Sequence, residues 1–400
     1  MLQNVFQQPV KGENVMKVLL TGSTGFLGGE LAVLLSKRRE VERLYCLVRS
    51  YGQEDARARL RAVFDFHDDP FDPAHVVPVE GELRDAELGE KLAAHPELRD
   101  VDVVIHAAAD TSFAPANGEN LEKVNVQGTT ALARWAESLP GLKTFCYVGT
   151  ASICGSRLTN CNVREEQSPH ASAVHLVKYC FTKMVGEVNV RRIIPARKLV
   201  IVRPSIIMGD TRNWAPRSTV ILWALAAVNL IRLIPSDPRA NLDIVPVDYA
   251  ARALVELLFA PRRWTTYHIS AGPASATTLD QITRAADHPA LGRPRFHFVG
   301  GELLEQMKRW PKRLAPSSEL HGHRPYLDYW HSVFNGNGGL RLLLAGMKPY
   351  FEFIGLNQTF DNSRLLTDTS LGPPPPAHEY VPATRRFLDQ IDIREGALDP

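Results

Sequence analysis

The sequence predicts an α/β chain: a doubly wound parallel sheet, followed by a smaller mixed substrate-binding C-terminal domain. Three observations predict it. Near-continuous apolar runs recur through the first half, at Val18–Leu20, Leu44–Val48, Val76–Val79, Val101–Ala109, Thr144–Val148 and Leu199–Val202. Amphipathic or Ala/Leu-rich segments such as Gln53–Phe64 and Gly128–Ser138 separate them. Strands that are apolar on both faces and alternate with helices belong to a parallel sheet covered on both sides. The third observation is the first turn, where a short strand runs through a glycine-rich loop straight into a helical pattern.

That turn reads Thr21-Gly22-Ser23-Thr24-Gly25-Phe26-Leu27-Gly28, with Leu31, Leu34 and Leu35 continuing the helix. Strand, glycine loop and helix in this order make a cradle for a dinucleotide pyrophosphate. Gly22 allows the tight turn, Gly25 the approach of phosphate to backbone, and Gly28 the packing of helix on sheet. The helix N-terminus presents its free N–H groups to the phosphates. The same element order puts the ligand at the carboxyl ends of the strands, the arrangement of a Rossmann domain.

The second strand ends in Val48-Arg49-Ser50. An enzyme that uses NAD usually carries an acid here for the ribose 2′-hydroxyl, whereas arginine suits the 2′-phosphate of NADPH, with Ser50 as a further donor. A solvated strand end is the plainer reading of Arg49. Glu82 and Leu83 follow the third strand, within reach of the adenine. Ala107, Ala108 and Ala109 close the fourth, where small side chains let backbone approach the cofactor. Pro204, Ser205 and Ile206 close the sixth and complete the cofactor-binding set.

Thr150 ends the fifth strand, and Tyr179 and Lys183 stand one helical turn apart on a shared face. A phenol titrates near pH 10, and a neighbouring ammonium brings it toward neutrality, so the pair can act as acid or base. Asn125, on the intervening helix, is expected to support a proton relay. Ser152 is a rival hydroxyl, and Thr150 is preferred because it ends the strand.

After Gly209 the pattern changes. Ser218–Pro235 is an apolar helical segment with two readings: a buried helix lining the substrate cleft, or a surface helix in peripheral contact with a membrane. Asn229 and Arg232 interrupt it too early for a span. A strand at Ile244–Val247, a helix at Ala250–Leu258 and a strand at Tyr267–Ser270 return the chain to the sheet. The expected domains are therefore 1–210 with 241–270 for the nucleotide, and 211–240 with 271–400 for the substrate. From Ala271 the sequence reads as irregular, closing with an apolar run at Leu340–Met347, a stiff surface connector at Pro373–Pro376 and a final helix at Pro382–Ile391.

Composition narrows the function. A net charge of +2 without a long basic run excludes nucleic acid. The polar stretch Met1–Asn14 lacks a signal segment, and no apolar run reaches spanning length, so a cytoplasmic protein without a transmembrane segment is expected. Cys46, Cys146, Cys154, Cys161 and Cys180 show no metal-ligand spacing and read as reduced, mostly buried thiols. His321, His323 and His331 lack a completing ligand, so no metal is expected. Trp310, Trp330, Tyr326 and Tyr329 read as packing or pocket-wall residues.

Over residues 16–260 the sequence resembles an extended short-chain dehydrogenase/reductase, and within that group the fatty acyl-CoA reductase and thioester-reductase branch. The resemblance rests on Thr21 to Gly28, Cys46-Leu-Val-Arg49, Asp55-Ala-Arg-Ala-Arg-Leu60, Asn125, Thr150, Tyr179-x-x-x-Lys183 with Glu187, Val202-Arg-Pro-Ser205 leading to Gly209, and Phe360-Asp-Asn362. It implies Thr150 in the Ser/Thr position, Tyr179 as general acid and Lys183 in the ribose-binding position. It further implies NADPH as cofactor and an acyl-CoA or acyl carrier protein thioester as substrate, reduced to aldehyde and, by a second round, to alcohol. Two other readings stand beside it: an extended-type ketone/alcohol dehydrogenase or epimerase acting on a sterol-like or nucleotide-sugar substrate, and a non-catalytic NADP sensor. The Tyr–Lys pair argues against the sensor. Lys308, Arg309, Lys312 and Arg313 read as an ordinary solvated face or as a patch for the carrier.

Overall fold

The apolar runs assemble as one sheet of seven parallel strands. The computed structural model describes residues 15–50, 55–113, 117–166, 173–212, 219–287, 292–307, 319–334, 337–384 and 387. Its strands are β1 (Met16–Thr21), β2 (Val41–Val48), β3 (Val76–Glu80), β4 (Val103–His106), β5 (Thr144–Val148), β6 (Leu199–Pro204) and β7 (Thr266–Ile269). They lie in the order β3-β2-β1-β4-β5-β6-β7, and every pairing is parallel. The winding direction reverses between β1 and β4, so a crevice opens at the carboxyl ends of those two strands.

The helices used below are α1 (Phe26–Ser36), α2 (Ala56–Phe66), α3 (Leu88–Ala94), α4 (Thr129–Glu137), α5 (Lys178–Ile193), α6 (Thr219–Ile231), α7 (Val247–Phe259), α8 (Leu279–Ala286), α9 (Arg324–Val333) and α10 (Asn337–Gly355). Side chains alternate across β1: Val18 and Leu20 pack with Leu31 of α1, Phe64 of α2 and Leu254 of α7. Leu19 points the other way, to Leu92 of α3, Leu132 of α4 and Val190 of α5. With both faces covered, the central strands have no polar side, which is why their sequences lack alternation.

A second core gathers Trp223 and Ile231 of α6, Leu327 and Trp330 of α9, and Leu343, Leu344 and Met347 of α10. The irregular reading of residues beyond 271 is corrected here, because α8, α9 and α10 are regular helices. Gly339 and Pro349 interrupt the apolar spacing of α10 in sequence, yet Leu340, Leu343, Leu344, Met347 and Phe351 fall on one buried face. Of the two readings of the 218–235 segment, the structure takes the buried helix. A Cβ on Gly346 would come 2.9 Å from the Trp223 ring, so α6 and α10 are in close contact. Arg232 follows the helix in the left-handed region at φ +64°, its side chain ion-paired with Asp287 at 3.1 Å. Among the described residues no helix is long and apolar enough to cross a membrane.

The chain then doubles back to form a separate two-stranded sheet beside the main one. Gln358–Phe360 pairs in parallel with Cys161–Val163. The buried Asp243 carboxylate accepts from Ala271 N at 2.7 Å and Phe360 N at 2.9 Å, and Asn362 Nδ2 donates to Ser270 O at 2.9 Å. Leu365 joins the core beside α7. The proline run belongs to this return: Tyr249 Oη donates to Gly372 O at 2.9 Å and Pro374 is buried. Pro373 is exposed and Pro375 and Pro376 are half-buried, so the run lies along the surface and is anchored at Pro374. The expected helix at 382–391 lies mostly outside the described residues; its described start belongs to a 3₁₀ turn, Val381–Thr384.

Candidate active site

Backbone crowding builds the cradle. Gly22 has φ +78°, and a Cβ on it would lie 2.7 Å from Ala108 N, so the loops after β1 and β4 meet there without side chains between them. Gly25 N donates to Gly22 O at 2.9 Å and closes the turn. A Cβ on Gly28 would lie 1.9 Å from Gly22 O, which fixes α1 against the loop. Gly25 is the N-cap of α1 and no side chain caps the helix, so its first N–H groups are left for an anion. Thr24, Phe26 and Leu27 border this opening, whereas Ser23 is buried. These residues fit a dinucleotide pyrophosphate.

Thr21, expected at the cofactor, turns its hydroxyl inward. It shares a 2.8 Å hydrogen bond with His106 Nδ1 and accepts from Ala108 N at 3.2 Å, while His106 Nε2 bonds Thr129 Oγ1 at 2.9 Å. Burial pushes His106 down to about 3, so this relay ties β1, β4 and α4 together as neutral groups. Ala107, Ala108 and Ala109 remain half-buried along the crevice. Arg49 and Ser50 are exposed at the end of β2. Arg49 lies 3.7 Å from Glu82, and its carbonyl accepts from the Arg59 guanidinium at 2.5 Å. Leu83 is buried against the helical turn at Gly128, where a Cβ would come 2.3 Å from Leu83 O. Pro204 is buried, Ser205 N donates to Ile269 O at 3.0 Å, and Ile206 pairs with Ile244 beyond the sheet.

Thr150 follows β5 in extended conformation and caps the 3₁₀ turn Ala151–Cys154, accepting from Ser152 N at 3.4 Å. Its hydroxyl lies close enough to the Tyr179 phenol to lower that phenol's pKa, so strand end and helix α5 bring these two expected residues together. Ser152 is thus a backbone donor to Thr150 in this arrangement. Lys183 is buried, with Nζ donating to Val148 O at 2.7 Å and standing 4.6 Å from the centre of the Tyr147 ring. Burial pushes it down to about 7, against the pull of Glu187 one turn further on.

The expected lowering of the Tyr179 pKa is corrected by these contacts. Burial raises it above the ordinary phenol value, Cys180 and Asp110 add to the rise, and only the Thr150 hydroxyl opposes it. Lys183 is committed to Val148 and Tyr147 instead. A phenol in that state stays protonated at neutral pH, which is the form a proton donor needs.

Asn125 sits in a π-helical turn, Lys123–Gly128, a feature that often marks functional sites. Its Oδ1 accepts from Asp110 N at 2.9 Å, and its Nδ2 donates to Asp110 O at 2.8 Å and Thr182 Oγ1 at 3.1 Å. These bonds occupy the amide and pin the loop after β4 onto α5, so in this arrangement it positions rather than relays.

That pinned loop carries a residue the sequence reading missed. The Phe113 ring lies 6.0 Å from Tyr179 and stacks with Tyr350 at 5.0 Å and Phe353 at 5.5 Å, both on α10; Trp223 of α6 extends the wall at 5.9 Å from Tyr350. Among the described residues the buried Tyr350 hydroxyl finds no hydrogen-bond partner. A narrow crevice lined by Ser152, Gly155, His175, Cys180, Phe353 and Leu356 runs beside it. No short motif marks such a wall, because its rings come from three distant segments.

Among the described residues no group of three or more His, Cys, Asp or Glu side chains is arranged to hold a metal. The His323 ring lies 5.4 Å from that of His297, tilted by 39°, and Trp330 Nε1 donates to Ile231 O at 2.9 Å. The five cysteines are free thiols. Trp310, Lys308, Arg309, Lys312 and Arg313 lie outside the described residues.

Comparison with known proteins agrees with this architecture. The Male sterility protein family matches residues 20–254. A linear gramicidin synthase of Brevibacillus parabrevis is 32% identical over 70% of this chain, and a carboxylic acid reductase of Mycobacterium tuberculosis is 28% identical over 81%. The chain spans only 6% and 30% of those relatives' lengths. Among solved structures, the terminal R domain of the myxalamid PKS-NRPS pathway superposes with a TM-score of 0.67 at 23% identity, covering 96% of this chain and 92% of that one. A thiolation-reductase di-domain from an archaeal non-ribosomal peptide synthetase gives 0.66 at 19% identity, covering 95% and 77%. The cradle is that of an NAD(P)-binding domain, and the chain belongs to the Male sterility protein family of extended short-chain dehydrogenase/reductases, with carboxylic acid reductases and a putative fatty acyl-CoA reductase among its relatives.

Proposed function

We propose that the chain reduces acyl thioesters, carried by CoA or an acyl carrier protein, to aldehydes at the expense of NADPH. The observation that carries this reading is the Thr150 hydroxyl beside the Tyr179 phenol at the carboxyl end of the sheet, with the Phe113 ring 6.0 Å from Tyr179. The relatives support the substrate class, since they include a carboxylic acid reductase, a fatty acyl-CoA reductase and a thiolation-reductase di-domain.

In this reading, the Gly22–Gly28 loop and the α1 N-terminus hold the pyrophosphate, and Lys183 holds the nicotinamide ribose. When bound, the reduced nicotinamide supplies a hydride to the thioester carbon. Thr150 and Tyr179 donate hydrogen bonds to the carbonyl oxygen as charge develops on it, an effect worth about 2.7–4 kcal/mol per donor in comparable sites. Tyr179 then passes its proton to that oxygen. The resulting hemithioacetal breaks its C–S bond, and aldehyde and free thiol leave. The preference for NADPH rests on Arg49, whose ion pair with Glu82 is long and exposed and costs little to exchange for a 2′-phosphate.

The test is oxidation of NADPH and NADH in parallel against acyl-CoA and acyl-carrier thioesters, with products identified by mass spectrometry. Aldehyde or alcohol formed with NADPH preference is expected. Turnover of ketones or nucleotide sugars but never of thioesters would overturn the substrate class and move it to the dehydrogenase or epimerase reading. Tyr179→Phe is expected to lower kcat on the order of 100-fold or more while leaving cofactor binding near wild type.

A further inference from the structure

Behind Lys183 lies a buried group that the reaction above does not use. Glu187 sits one turn further along α5 and has no exposed surface. Its carboxylate accepts from Arg203 of β6 at 2.6 and 3.0 Å, and from Arg191 of α5 at 2.7 and 2.9 Å. Arg203 is buried as well, whereas the Arg191 side chain is part-exposed and also donates to Thr266 of β7 at 2.8 Å.

The same carboxylate borders the end of β5. A Cβ on Gly149, the residue before Thr150, would lie 3.4 Å from Glu187 Oε2. Gly149 N donates to Val202 O at 2.7 Å, and Tyr147 Oη donates to Lys183 O at 3.1 Å. Lys183 Nζ, held at Val148 O over the Tyr147 ring, and the Glu187 carboxylate, set against Gly149, therefore both border the end of β5 from successive turns of α5.

We propose that Glu187 is a positioning residue for the reduction: clamped by Arg203 and Arg191, it is the counter-charge that holds the Lys183 ammonium beneath Val148 and Gly149. The inference rests on Lys183 holding the cofactor ribose, as in the reading above.

The groups around the ammonium give the expected signs. His106 of β4 is neutral, and the buried Tyr147 phenol of β5 stays protonated. Tyr179, on α5 itself, stays protonated too. Glu187 attracts the ammonium, while Arg203 of β6 and Arg191 are bound to that carboxylate and offset part of its charge. Burial alone would raise Glu187, yet the two guanidiniums hold it below the usual carboxylate range, so it remains charged. Removing the carboxylate leaves burial and two cations acting on Lys183, and its deprotonation moves to lower pH. Removing Arg191 leaves more of the carboxylate's charge for Lys183, and its deprotonation moves to higher pH.

The experiment follows NADPH binding by cofactor fluorescence from pH 5.5 to 9.5, with thioester reduction measured in parallel. Glu187→Gln is expected to shift the alkaline midpoint down by about one unit, and Arg191→Gln to shift it up by a smaller amount. Opposite shifts are the signature, because a purely structural lesion changes amplitudes without moving midpoints in opposite directions. An unmoved midpoint in both variants overturns the proposal. If Glu187→Gln does not fold, the part-exposed Arg191→Gln decides alone, and an unmoved midpoint again overturns it. Since binding of NADPH alone is read, the result stands apart from whether thioesters prove to be the substrate.

Discussion

The loops after β1 and β4 meet through backbone, with Gly22 against Ala108 and Gly28 against Gly22 O, and no side chain intervenes. The opposite side of the site is made of ring faces: Phe113 from a loop, Tyr350 and Phe353 from α10, Trp223 from α6. One wall is defined by what cannot be present and the other by volumes that can be exchanged. A backbone contact has no rotamer with which to yield, whereas stacked rings can be trimmed and repacked at modest cost. In the proposed reading the rigid wall grips the cofactor, and the adaptable wall faces the variable part of the substrate.

The most severe way to break this contrast is Gly28→Ala. Its methyl would lie 1.9 Å from Gly22 O, so α1 must move and the cradle opens. Cofactor affinity is expected to fall on the order of 100-fold, about 3 kcal/mol, read by fluorescence titration with folding checked by circular dichroism. An unchanged Kd would show that the loop yields after all.

A milder effect is expected on the other wall. Phe353→Ala should leave cofactor Kd unchanged and lower kcat/KM for long or aromatic acyl thioesters about 10-fold relative to acetyl thioesters, as lost apolar contacts do. Equal losses for all acyl groups would mean that the rings support the fold and not the substrate. Smallest is Tyr350→Phe, which removes a buried hydroxyl that has no partner among the described residues. Thermal unfolding is expected to rise by about 1 °C, from roughly 1 kcal/mol of relieved desolvation spread over the unfolding entropy of a chain this long. A fall instead would reveal that the hydroxyl is satisfied in solution.

How much of this was legible follows the same division. Gly22, Gly25 and Gly28 declare themselves because a backbone constraint needs a particular residue at a particular position. Thr150 and Tyr179 were found because both lie at the carboxyl end of the sheet, one on a strand terminus and one on the helix beside it. The electrostatics were not legible: a Tyr–Lys spacing gives proximity along a helix, but whether the ammonium faces the phenol depends on Val148 O and the Tyr147 ring, which belong to another element. Asn125 was placed correctly near the site, while its full set of hydrogen bonds to Asp110 and Thr182 emerges only when three segments come together. The aromatic wall joins residues far apart in the chain and left no local pattern. Regular helices beyond residue 271 were hidden by Gly339 and Pro349, which punctuate sequence more than they disturb α10.

The Asp243 carboxylate has a consequence for how the molecule is made. Its partner Phe360 lies 117 residues further along the chain. During synthesis, β1 to β7 emerge from the ribosome before that partner exists, and Asp243 must wait, hydrated, while α8, α9 and α10 are produced. The sheet therefore cannot reach its final state ahead of the helices that follow it; the closing segment at 358–365 joins it in one late step. Contacts of such sequence separation are slow to form, and a nascent chain paused before residue 358 would expose the unfilled side of β7.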